Sequence, residues 1–238
     1  MISVICCYNK YPEYCNMLDT LRKQSTEFEI IGVDNTNGVF SSAAAALNYG
    51  AKMATGSMLV FVHQDILFLN NNSLASFVEP IIQAEGALCI VGLFGAARKN
   101  KTYNGYVVKE TLDECCVAMH RDTWEQYPFN DVLCDGWHLY VVEQCLRIGS
   151  AGGRILSGEF AIKHLSTGNV DDAYMKTFKR LMDNYKEKKW IVTVCKSLPN
   201  NSAVFRGYWI LWKIKKYFFG NYGLVYSIKT FFRKKDCL

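Results

Sequence analysis

His63-Gln64-Asp65 sets an imidazole and a carboxylate two residues apart, at the end of the apolar run Met58–Val62. On an extended segment, residues i and i+2 face the same side, so both groups could face one divalent cation or one phosphate. Imidazole plus carboxylate suits manganese and other first-row metals better than calcium. A merely structural strand end would read the same way. Other polar residues collect at similar places: Tyr8-Asn9 after Ile2–Cys7, Asp34-Asn35 after Glu29–Val33, and His164 at the end of Ala161–His164. Neither a G-x-G-x-x-G loop nor a P-loop follows the first strand, so a phosphate-bearing ligand would need a metal to offset its charge.

Alternating elements must position these groups. Strands are predicted over Ile2–Cys7, Glu29–Val33, Met58–Val62 and Leu88–Leu93. Between them lie helices from Pro12 to about Gln24, from Ala43 to Ala54 behind a serine cap, and from about Ser73 to Ala84. Strands that alternate with helices imply a doubly wound α/β fold with a mostly parallel sheet, and ligands bind such sheets at the carboxyl ends of the strands. The second half is less regular. Asn100–Gly105 reads as a loop, Glu114–Met119 as a strand, Leu139 to Ile148 as a helix after Asp135-Gly136-Trp137, and Asp171 to about Lys188 as an amphipathic helix.

The chain has 238 residues, half of them apolar, enough for one large α/β domain. A catalytic domain over residues 1–204 and a basic, aromatic tail over 205–238 are expected. The net charge of +5 is unevenly spread. From Phe205 onward eight Lys/Arg stand against Asp236 alone, and the preceding residues are slightly acidic, which removes support for a nucleic-acid partner. The ten cysteines include no C-x-x-C pair and read as small buried hydrophobes. Met1–Ile5 opens as an apolar strand with no basic leader or cleavage site, so a cytoplasmic protein is predicted. The longest uncharged stretch of the tail, Tyr217–Ile228, is too short to cross a bilayer.

Several stretches together resemble glycosyltransferase family 2, in the branch whose metal motif reads His-Gln-Asp rather than Asp-x-Asp. They are the opening strand with Tyr8-Asn9, Val33-Asp34-Asn35, Ala44–Gly50, Phe61–Asp65, Leu112-Asp113-Glu114, Asp135–Tyr140 and His164–Gly168. The resemblance implies the A-type glycosyltransferase fold and an inverting transfer of a sugar from a nucleotide-diphosphate donor to a hydroxyl, in cell-surface polysaccharide or glycan synthesis. It implies that Tyr8, Asn9, Asp34 and Asn48 contact the nucleotide. Asp113, Glu114 and Trp137 would line the sugar and acceptor side. Asp65 would ligate a divalent metal, Mn2+ or Mg2+, with His63 and His164. The acid-x-acid pair expected at the following helix reads Val141-Val142-Glu143 here, so Asp135, His138 and Glu143 are the candidates for the general base, with Asp135 favoured. Leu47 replaces an arginine frequent in the family.

The tail interleaves aromatics with lysines and arginines, a composition suited to an anionic membrane surface or to packing on the domain. Peripheral contact with the inner face of the membrane would fit a glycan or lipid-linked acceptor. A sugar nucleotidyltransferase is the alternative enzyme, but Cys7-Tyr8-Asn9-Lys10 is not its glycine-rich loop. A non-catalytic nucleotide-sugar-binding protein is the alternative of another class, and Val141 is its one supporting feature.

Overall fold

A computed structural model describes residues 1–219 except 85, 100, 167 and 169. The tail residues expected to act beyond 219 lie outside the described residues. In chain order the elements are β1 (Ile2–Tyr8), α1 (Tyr11–Leu21), β2 (Phe28–Asp34), α2 (Ala43–Met53), β3 (Met58–Val62), β4 (Ile66–Phe68) and α3 (Ser73–Ile82). Then come β5 (Cys89–Gly92), β6 (Gly95–Ala96), β7 (Lys101–Tyr103), β8 (Tyr106–Val108), β9 (Thr111–Leu112), β10 (Cys116–His120) and α4 (Arg121–Gln126). The last are α5 (Tyr140–Ser150), β11 (Arg154–Ser157), β12 (Ile162–His164), α6 (Asp172–Asn184), β13 (Trp190–Ile191), β14 (Leu198–Pro199) and α7 (Ser202–Phe219).

An eight-stranded sheet in the order β2-β1-β3-β10-β5-β11-β8-β7 forms the centre. β1 pairs in parallel with β2 and β3, and β11 with β5. β10 runs antiparallel to both its neighbours, as does β8. The sheet is therefore mostly parallel, as expected, with a reversed strand at its middle. Val4, Cys6, Val60 and Val62 alternate onto one face, where they join Met17, Leu21, Leu74 and Phe77 in a single core cluster. Ile5 turns to the other face, toward α2. A Cβ on Gly50 would lie 2.6 Å from Ile5 and 2.9 Å from Val33. That close approach explains why α2 is built of alanine on its buried side. Ser42 caps it by accepting the Ala45 amide at 3.2 Å.

The segment expected to be a loop, Asn100–Gly105, instead carries β7, and it turns at Asn104-Gly105 into β8. Both turn residues have positive φ, 47° and 83°, which is the signature of an Asn-Gly hairpin. The described cysteines are free, and most are buried. Burial pushes the Cys89 thiol up to about 11 and Cys145 to about 12, so both remain protonated.

The chain divides into two compact units: Met1–Leu181 with Val192–Ser197, and Met182–Ile191 with the chain from Leu198 on. The boundary expected after residue 204 falls inside α7. No helix among the described residues is long and apolar enough to cross a membrane. The site described next lies wholly in the first unit.

Candidate active site at the carboxyl ends of the strands

β1, β2 and β3 run in parallel and end side by side. Tyr8 pairs in register with Asp34, and Cys6 with Val62. His63-Gln64-Asp65 follows at once. Two antiparallel pairings then bring remote residues to the same edge. β10 starts opposite the end of β3, with Cys116 across from Val62, so Asp113 and Glu114 arrive beside His63. The Cys115 carbonyl accepts the His63 amide at 2.8 Å. β12 pairs with β4, setting His164 across from Ile66 and next to Asp65.

His63, Asp65 and His164 converge, with one ligand atom from each lying within 4.8 Å of the others. His164 Nε2 is 3.3 Å from Asp65 Oδ1. The Ser166 amide donates to Asp65 Oδ2 at 3.2 Å, and Ser166 Oγ lies 3.1 Å from His164 Nε2. Burial pushes the Asp65 carboxyl up, but the hydrogen bonds from His164 and Ser166 outweigh it and hold the group well below the usual carboxylate range. Burial likewise pulls His164 down, and its hydrogen bond to Asp65 reverses that and raises it. Burial and the charge of His164 lower His63, which favours the neutral imidazole that ligates metals. Two imidazoles and an ionised carboxylate are a fitting donor set for a first-row divalent ion, whose ligands sit about 2 Å from it.

A cavity of about 520 Å³ opens over this cluster. Tyr8, Asn9, His63, Asp65, Glu114 and Trp137 line it, as do four residues to which the sequence assigned no role: Lys10, Gln64, Tyr140 and Ser166. Gln64 Oε1 accepts the amides of Asn9 and Lys10 at 3.0 and 2.9 Å, and its Nε2 donates to Asn9 Oδ1 at 3.0 Å. Asn9 is thus the partner that fixes the middle residue of the motif against the β1 loop. Tyr140, at the start of α5, places its hydroxyl 3.4 Å from His63 Nε2. The Ala43 and Leu47 side of α2 closes the wall. Tyr8 stacks on Tyr14 with ring centroids 4.0 Å apart, and Asp34 Oδ1 accepts the Thr36 amide at 2.8 Å. That bond holds Asp34 ionised.

Glu114 accepts the Leu139 amide at 2.6 Å. Leu139 sits in the left-handed region, φ 66°, immediately before α5. This bond steadies a strained residue and so orients Tyr140 and Trp137. Burial, with the nearby Asp113, pushes the Glu114 carboxyl up to about 8. Asp113 itself turns back to accept the Cys115 amide at 3.0 Å.

Three expected site residues are held by partners within the chain. Glu143 is fully buried and ion-paired with Arg147 at 2.8 Å, with Asn130 donating to it at 3.2 Å. A carboxylate held this way is bound by its own neighbours and is not among the residues that line the cavity. Asn48 donates to the Phe129 carbonyl at 2.7 Å and accepts from Trp124 Nε1 and the Phe129 amide, at 3.0 and 3.1 Å. It ties α2 to the loop before α5 and is not among the residues that line the cavity. Asp135, the favoured base, pairs with Arg180, which holds its carboxyl below the usual range and makes it a weaker base. His138 lies 3.3 Å from Asp171, close enough to His63 for their charges to interact.

Comparison with solved structures decides the architecture. S. aureus TarS in complex with UDP-GlcNAc matches 76% of this chain at TM-score 0.51 and 14% identity. GalNAc-T7 with UDP, GalNAc and Mn2+ matches 78% at TM-score 0.58 and 13% identity. The Pyrobaculum calidifontis mannosyltransferase PcManGT, with GDP-Man and Mn2+, matches 87% at TM-score 0.56 and 17% identity. The chain has the A-type glycosyltransferase fold. The matches cover 65%, 49% and 68% of those three chains, so this chain spans about half to two thirds of the length of these neighbours. No protein-family model and no curated protein sequence matches it.

Proposed function

We propose that the chain is an inverting glycosyltransferase that moves a sugar from a nucleotide-diphosphate donor to a hydroxyl of a glycan or lipid-linked acceptor. The observation that carries this reading is the convergence of His63, Asp65 and His164 beneath a cavity at the strand ends of an A-type fold. The nucleotide sugars bound by TarS and PcManGT support the donor class, and the Mn2+ in GalNAc-T7 and PcManGT supports the metal. Asp65, His63 and His164 would hold a divalent cation, which supplies positive charge against the leaving diphosphate. Tyr8 and Asp34 would bind the nucleoside end, and Trp137 and Glu114 the sugar and acceptor end.

In the transfer, the acceptor oxygen bonds to the anomeric carbon as the bond from that carbon to the diphosphate oxygen breaks. The acceptor proton passes to a base on the opposite face of the sugar. Among the candidates we take His138, set beside Asp171, as the base, because Asp135 and Glu143 are each bound by an arginine, which weakens a carboxylate as a base. A role in cell-surface polysaccharide or glycan synthesis would follow from such an acceptor.

The test is transfer or donor hydrolysis over a panel of nucleotide sugars with and without manganese. Asp65→Ala should abolish both the metal-dependent activity and any manganese-induced rise in Tm. Full activity of Asp65→Ala in chelator would reject the metal assignment. Tight nucleotide-sugar binding without turnover would favour the binding-protein alternative.

A further inference from the structure

The outer face of α7 is apolar, which is the reverse of what a helix on a water-facing surface shows. Phe205, Tyr208, Trp209 and Trp212 recur at i, i+3, i+4 and i+7 and are buried or half-buried. Opposite them, Ile210, Ile214 and Tyr217 run along one line, and Val204, Leu211 and Phe218 along the next. These six are exposed, Leu211 by 66%, Tyr217 by 64% and Ile210 by 52%. Cations edge the apolar strip: Arg206 and Lys213 on one side, Lys215 on the other. Lys213 and Lys216 lie over Trp209 and Trp212 at 4.6 and 4.9 Å, with their stems along the aromatic side. Ser202–Phe219 contains no acidic residue.

We propose that this face of α7 docks on an anionic lipid surface, with Leu211, Ile214 and Phe218 entering the acyl boundary and the flanking lysines at headgroup level. An apolar strip with cations at its edges matches that interface, because long basic side chains can extend sideways to phosphates while the strip is buried. The charge also argues against the other occupants. A second copy of α7 would set like-charged edges against each other, and the rest of this chain, with Lys229, Arg233, Lys234 and Lys235, would do the same. The inference rests on α7 alone and is independent of the transfer reading.

The experiment is co-sedimentation of the full chain with vesicles of roughly 70% phosphatidylcholine and 30% phosphatidylserine, and with phosphatidylcholine alone, at about 0.1 M and about 0.5 M salt. Binding is expected to favour the anionic vesicles at least about tenfold and to weaken in salt, since each lysine near the surface contributes about fivefold. Leu211→Ser with Ile214→Ser should lower binding about tenfold without altering the far-UV spectrum, because both side chains are exposed. Independently of any variant, amide exchange across residues 204–218 should slow when anionic vesicles are added. Absence of vesicle binding, or binding unaffected by the double substitution, would overturn the proposal. So would unchanged amide exchange, or a concentration-dependent dimer that the same substitution disrupts.

Discussion

Glu114→Gln keeps the side-chain shape and an acceptor for the Leu139 amide, and it removes an ionisation. Burial and the neighbouring Asp113 raise the Glu114 carboxyl from 4.5 to about 8. An acid whose folded pKa exceeds its unfolded one holds extra protons in the folded state. Its contribution to stability is full below about pH 4.5 and is lost as the pH rises toward 8. At about 1.4 kcal/mol per pH unit, the whole gap bounds that loss at about 5 kcal/mol. Glu114 lines the cavity and is only partly buried, so the burial cost is below that bound and a loss of about 2 kcal/mol is the working expectation. Urea unfolding of both proteins at about pH 5, 6.5 and 8 measures it. The other titrating groups are common to the two proteins, so the difference reports position 114 together with the adjacent Asp113 that interacts with it. The wild type should weaken relative to the variant by about 2 kcal/mol from the lowest to the highest pH. Parallel stability profiles would refute both the raised pKa and the argument from burial.

Asp34→Ala should weaken binding of the preferred nucleoside diphosphate roughly ten- to hundredfold while leaving the unfolding transition in place, and titration calorimetry against folded variant would detect an unchanged affinity. Glu143→Ala strips the carboxylate from Arg147, leaving it the Pro128 carbonyl, and an acceptor from Asn130. It should cost about 3 kcal/mol of stability with kcat per folded molecule preserved. A large fall in kcat at unchanged stability would return Glu143 to the catalytic candidates.

The local elements were legible because each is written in its own residues. Met58–Val62 is a continuous apolar run between Gly56 and His63, and Ser42 precedes an alanine face that only a closely packed helix needs. The hairpin at Asn104-Gly105 was also written there, in a dipeptide that favours positive φ at both positions, although the stretch around it reads as loop. The metal candidates were legible in part. His63 and Asp65 share one side of a strand end, but His164 is a hundred residues away in sequence; its place at a strand end was legible, and only the likeness to a known pattern made it a ligand of the same metal.

What the sequence by itself determined is the alternation of strands and helices, and hence the edge of the sheet at which polar residues collect. The partners of most of the polar side chains were decided by the tertiary structure. Asp135, Glu143 and Asn48 look in sequence like groups available to a substrate. Chain reversal brings Arg180 to the first and the loop at Phe129 folds over the third, while the second meets Arg147 one turn on in its own helix and owes only its burial to the tertiary structure. Glu114 shows the converse. Nothing about an Asp-Glu pair in sequence predicts a raised pKa. It arises because antiparallel β10 enters at the carboxyl end of β3 and buries that carboxyl beside Asp113, where losing water costs the charged form more than one amide bond from Leu139 returns.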